Sequence, residues 1–256
     1  MIERWIFHRT PAAWGVKCRR LHAVIRFRAG GGSSNGMINK LERWAWAGGA
    51  LLAGNAGMVN AVGLKSYAHQ AVTHVTGSTT LFTLAVAHHD LAAVSDLGMV
   101  LLSFVAGAAL SGFIVQKDAL KLGRRYGVAL LLESLLLMVA ASLMRSNNGL
   151  ASYFASAACG LQNAMASTYS GAVLRTTHVS GMFTDLGAAF GHWLRGLSVD
   201  AKRVRLYATL VGSFMLGGVL GTLLFDVYSY NTLYIPAALT GMAAAGYTLY
   251  AHMRRK

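Results

Sequence analysis

The chain has 256 residues, of which 55% are apolar and only 12% charged, with a formal net charge of +14. Soluble globular domains carry about 25% charged residues, so this composition excludes an ordinary soluble domain and describes an integral membrane protein. The positive charge does not describe a nucleic-acid surface, which clusters Lys and Arg against phosphates. It collects in the N-terminal tail, in two loops and in the final RRK, where basic residues orient a membrane protein, and no nucleic-acid partner is expected.

In chain order, residues 1 to 36 are rich in Arg, end in AGGGSSNG and precede Met37. They lack a compact apolar core followed by a small-residue cleavage site, as a signal peptide would have. They read as a disordered basic extension, or as sequence upstream of a true start at Met37. Eight apolar segments follow, at about 43 to 64, 75 to 88, 96 to 116, 126 to 144, 149 to 169, 179 to 194, 205 to 225 and 232 to 252. The second is short and the sixth is interrupted by Thr184 and Asp185, so neither is a good span where about 20 apolar residues are needed. Proline is scarce and no long polar/apolar alternation is present, which argues against a membrane barrel. An all-α membrane protein is expected. Cys18 falls in the tail and Cys159 in a span, supporting neither a disulfide nor a thiolate metal site.

The chain also repeats itself. GMVNA at Gly57 to Ala61 lines up with GLQNA at Gly160 to Ala164, THVTG at Thr73 to Gly77 with THVSG at Thr177 to Gly181, and SFVAGAAL at Ser103 to Leu110 with SFMLGGVL at Ser213 to Leu220. Three matches in one order mark two copies of a four-segment unit, residues 37 to 146 and 147 to 256. If all eight segments spanned, the loop KDALKLGRR would lie outside despite its Lys and Arg residues, against the positive-inside rule. If the short second and sixth segments dip in and return, every basic cluster and both termini fall in the cytoplasm. Each copy then has three transmembrane helices plus one half-spanning helix, and the copies are inverted repeats, as in many transporters.

The repeated motif sits where the backbone would leave helical geometry, which lipid permits only where protein or water satisfies it. Its Thr and Ser hydroxyls are expected to cap a helix and its Gly to allow a tight turn. The half-helices should run from Ser78 to about His88 and from Met182 to about Leu194. Inversion would bring both N-termini to the midplane, where their dipoles suit an anionic or neutral polar solute. The expected solute-binding residues are Thr73, His74, Thr76, Gly77, Thr177, His178, Ser180 and Gly181, with Asn60, Asn163 and Gln162 either touching solute or latching the broken helix. Small residues and hydroxyls also pack ordinary membrane helices. Asp185 and Glu133 are carboxylates in apolar surroundings, which default to functional hypotheses, and are the proton-coupling candidates; Glu133 is alternatively a buried acid bonded to Ser134 or to a neighbouring helix.

GMVNA followed by THVTGSTTLFTLAVA, and GLQNA followed by RTTHVSGMFTDLGAAFG, resemble the YoaK-like family of bacterial inner-membrane proteins, a domain of unknown function (1275). The likeness runs from about residue 43 to 250. The family's first motif is more like GxxDA followed by NxTGN, where this chain has Asn60 and THVTGS. The resemblance implies a multi-span protein of the bacterial inner membrane.

The expected function is a transporter or channel for a small anionic or neutral polar solute, its partners being the bilayer and that solute; a homo-oligomer is compatible with the sequence. The alternative is a membrane scaffold or sensor in which the repeats serve packing alone. No nucleophile elbow, carboxylate pair or metal-ligand spacing suggests an enzyme, and no cofactor or metal is expected.

Overall fold

A computed structural model describes residues 43–66, 72–115, 124–170 and 174–253, all within one compact unit, Ser34–Lys256. The N-terminal extension and most of the KDALKLGRR loop lie outside the described residues. The elements are helices α1 (Arg43–Lys65), α2 (Val75–Ala87), α3 (Leu91–Ile114), α4 (Arg124–Arg145), α5 (Leu150–Tyr169), α6 (Val179–Leu194) and α7 (Ala201–Tyr228), a 3-10 turn (Ser229–Leu233) and α8 (Tyr234–Met253). Among the described residues there is no strand.

Among the described residues, four apolar runs are long enough to cross a bilayer core: Trp44–Lys65, Leu91–Ile114, Arg125–Arg145 and Ala201–Leu249, the last holding α7 and most of α8. With 13 and 16 residues, α2 and α6 are about 20 and 24 Å long at 1.5 Å per residue, short of the roughly 30 Å hydrocarbon core. Helix α5 is too polar to count among the four runs, and the packing shows why it can be. Ser152, Ser156 and Gln162 are buried in the bundle, where Ser156 Oγ donates to the Val100 carbonyl at 2.8 Å. Protein rather than lipid meets these groups, which keeps a polar helix tolerable. The outward faces of α3 and α7 instead carry Leu102, Val105, Phe113, Met215, Leu216, Val219 and Leu223, all exposed, the arrangement of helices solvated by lipid.

Close helix pairs are set by glycines and short polar bridges. Helix α1 runs parallel to α7: Gly49 meets Leu210, Gly57 meets the Phe214 carbonyl, Gly221 meets Met58, and Lys65 pairs with Asp226 at the far end. Helix α3 runs parallel to α5, with the Tyr153 hydroxyl donating to Asp96 at 2.7 Å and Gly160 against the Phe104 carbonyl. Helix α4 runs antiparallel to α8: Ser134 Oγ donates to the Ala237 carbonyl at 2.7 Å, Ser142 and the Tyr234 hydroxyl share a bond of 3.0 Å, and Gly127 abuts Tyr247 and Thr248. Helix α2 folds back on α3, Phe82 packing at Gly98, and α6 folds back on α7 through Asp185 and Arg203.

Two of these crossings are the same contact made twice. By the sequence match, Gly57 corresponds to Gly160 and Phe104 to Phe214. The structure pairs Gly57 with Phe214 and Gly160 with Phe104. It likewise sets Gly107 against the Ala157 carbonyl and Gly217 against the Gly54 carbonyl, Gly54 and Ala157 being matched positions too. At each crossing a Cβ would enter a carbonyl of the facing backbone, so only glycine permits the approach.

Candidate functional site

Helices α2 and α6 begin three residues earlier than expected, at Val75 and Val179, so each motif forms the first turn itself. The expected hydroxyl capping is not what the structure contains. The N-cap residues are His74 and His178, and neither side chain caps its helix. Hydroxyls just beyond the motifs bond back along their own helices: Thr79 Oγ1 donates to the Val75 carbonyl at 2.8 Å, Thr80 Oγ1 to the Thr76 carbonyl at 3.0 Å and Thr184 Oγ1 to the Ser180 carbonyl at 3.0 Å. Ser and Thr on helices commonly bond back in this way.

The role of the motif glycine also changes. A Cβ on Gly77 would strike the imidazole of His74, and one on Gly181 the imidazole of His178. The motif is therefore a seat: the histidine ring folds over the first helical turn into the space left bare three residues later. Gly77 and Gly181 lie beneath the rings and are absent from the cavity wall described next.

The two motifs open onto one cavity of about 620 Å³. From the first copy come Asn60, Thr73, His74, Thr76 and Phe104; from the second come Asn163, Thr177, His178, Ser180 and Phe214. The phenylalanines belong to the glycine crossings, so the packing of α1 on α7 and of α3 on α5 fixes the cavity walls. Asn60 Oδ1 accepts from the Thr73 amide at 3.2 Å, latching the end of α1 to the motif. Asn163, its counterpart, makes no such bond, and its Oδ1 is buried without a hydrogen-bond partner among the described residues.

Besides Gly77 and Gly181, three further residues nominated from the sequence stand apart from this cavity. The side-chain amide of Gln162 donates to the Leu52 carbonyl and joins α5 to α1. Asp185 pairs with Arg203 at 3.2 Å and faces a separate pocket of about 250 Å³ with His192, Asp200 and Tyr207. Glu133 is buried in α4 with neither carboxylate oxygen bonded among the described residues. Ser134 serves the Ala237 carbonyl, so the bond considered between Glu133 and Ser134 is not formed.

Sequence reasoning missed Arg175, which lies on the cavity wall with Ser167 and Phe183. A lone arginine in RTTHVSG looks like a loop charge; the telling sign is its alignment with Ala71 in AVTHVTG. No Asp or Glu lines the cavity among the described residues. Arg175 is thus its fixed charge, joined by the positive ends of two helix dipoles. Among the described residues, His, Cys, Asp and Glu nowhere gather in a group of three suited to a metal ion.

Comparison with curated proteins and with solved structures finds no match. Residues 48–246 match the model of a protein family of unknown function, DUF1275, and the match spans both copies of the repeat. The chain belongs to that family.

Proposed function

We propose that the protein is a transporter or channel for a small polar solute in the bacterial inner membrane, with six full spans, two inverted halves and both termini in the cytoplasm. The directions of the helices support this layout. Were all eight helices to alternate across the membrane, α4 and α8 would run the same way; they run antiparallel, with Ser134 by Ala237 and Ser142 by Tyr234. With α2 and α6 as half-helices, α1 and α7 are parallel, α3 and α5 are parallel, and α4 and α8 oppose each other, as their contacts require. Matched helices then point in opposite directions, the arrangement that places solute sites at the meeting of broken helices.

The observation that carries the functional reading is the shared cavity. Two motifs distant in sequence supply its wall with matched residues, and their uncapped helix starts are ready donors for a polar solute. A role in packing alone would not require a cavity between the motifs. The proposal draws on the cavity residues and leaves out Glu133 and Asp185, which lie off its wall.

The test is flux in proteoliposomes against a panel of small anions and neutral polar solutes. Transport by the unaltered chain, lowered in His74→Ala and His178→Ala, is expected. Absence of flux for every solute, with both variants folding normally, would favour the scaffold or sensor reading.

A further inference from the structure

We infer that the solute is an anion, an oxyanion or carboxylate, and that Arg175 is the residue that selects it. The inference rests on the cavity being the solute site and narrows what that site takes.

Four of the described helix starts form a contrast. Helices α3 and α7 are closed by their own carboxylates: Asp90 accepts from the Ala93 amide at 3.0 Å, and Asp200 from the amides of Lys202 at 3.0 Å and Arg203 at 3.2 Å. Helices α2 and α6 have histidine at that position and no side-chain cap, and both open on the cavity. The described residues supply no acceptor for the first-turn amides of Thr76, Gly77, Ser180 and Gly181. What an aspartate does for α3 and α7, no described side chain does for α2 and α6.

Arg175 gives these helix starts a charged neighbour. Its guanidinium makes no ion pair or hydrogen bond with any described residue, and no carboxylate among the described residues shares the wall. A cation would meet this charge and two positive dipole ends together. A neutral solute would gain nothing from the guanidinium's charge. A carboxylate or inorganic oxyanion fits the planar fork, which binds such groups through two parallel bonds, and its remaining oxygens can accept from the histidines, Thr76 and Ser180. The volume also lies in the usual range for small-molecule sites, about 300–1,000 Å³.

The experiment measures the thermal unfolding midpoint of the purified full chain in detergent against titrations of acetate, sulfate, inorganic phosphate and glycerol. The unaltered chain, Arg175→Gln and Arg175→Lys are compared, with flux of the same solutes measured in parallel. Because Arg175 is exposed, both variants should fold. At least one of the anions should raise the midpoint, glycerol should not, and the half-saturating concentration should rise at least about tenfold in Arg175→Gln, with partial recovery in Arg175→Lys. Equal anion response in the unaltered chain and Arg175→Gln overturns the inference. Flux of glycerol alone overturns it while sparing the transport reading. Arg175-dependent anion binding without flux sustains it and removes transport instead. Stabilisation that depends on Arg175 but comes only from phosphatidylglycerol vesicles, not phosphatidylcholine vesicles or soluble anions, identifies a lipid headgroup and also overturns it.

Discussion

Matched residues from the two copies line one cavity, and they agree in some respects and differ in others. They agree in the frame. Gly57 against Phe214 and Gly160 against Phe104 are one contact used twice, and so are His74 over Gly77 and His178 over Gly181. They differ in the polar groups attached to that frame. Asn60 is engaged by the Thr73 amide, while Asn163 Oδ1 has no partner among the described residues. The second copy adds Arg175 and Ser167 where the first has Ala71 and Leu64, and its half-helix carries Asp185, paired to Arg203, where the first has Leu81. The first copy is the better fastened, and the second carries the charge. Repetition thus builds the cavity, and departure from repetition places a charge on its wall.

The comparison is broken most severely at the glycine crossings. Gly57→Val and Gly160→Val should each cost toward the upper end of about 1–3 kcal/mol of overpacking, read as a fall in unfolding midpoint and in monodisperse yield. Gly212→Val is the control on α7, where a Cβ would meet nothing within 4 Å. A control as damaging as the two crossings would show that valine in these helices, not the crossing, is at fault.

Asparagine substitutions probe the difference between the copies. Asn60→Leu strands the Thr73 amide and should cost about 1–3 kcal/mol. Asn163→Leu removes an acceptor that has no bond to lose, and should fall within about 0.5 kcal/mol of the unaltered chain or above it. Equal losses in unfolding free energy would mean that the two asparagines do the same work.

Gly77→Ala and Gly181→Ala test the seats that the copies share. Each added methyl should push its imidazole out of place at about 0.5–1.5 kcal/mol, the scale of an off-rotamer side chain. The imidazole resonances of His74 and His178 should shift in the respective variants, and unshifted resonances would contradict the seat. A small effect is also expected for Arg203→Met. Its pair with Asp185 is partly exposed, with side chains 34% and 44% accessible, so the loss should not exceed about 1 kcal/mol; a larger drop in midpoint would give the pair a structural importance that its exposure argues against.

Much of this was legible in the residues. The order of the helices followed from apolar runs and basic loops, and α2 and α6 were legible as too short because length alone decides whether a helix can cross. THVTG and THVSG pointed to one another as copies, and residues of both line one cavity. The function of the glycine was not, because a ring folding over a helix start leaves the same letters as a tight turn. Arg175 was missed because one basic residue in a loop carries no periodic signal; only the three-dimensional wall distinguishes it from a solvated charge. Gln162 looked like Asn163 beside it, yet adjacent helical positions face about 100° apart, and this one turns toward the Leu52 carbonyl.

The central claim is that the two motifs share one accessible cavity, and paired cysteines test it most directly. In a full chain with Cys18 and Cys159 replaced by Ala, Thr76→Cys and Ser180→Cys would be combined and treated in membranes with a short bifunctional thiosulfonate, followed by proteolysis between the halves. The account predicts that the halves stay linked, and that single-cysteine variants do not link them. Efficient labelling of both thiols without any linkage would place the motifs in separate spaces and contradict it.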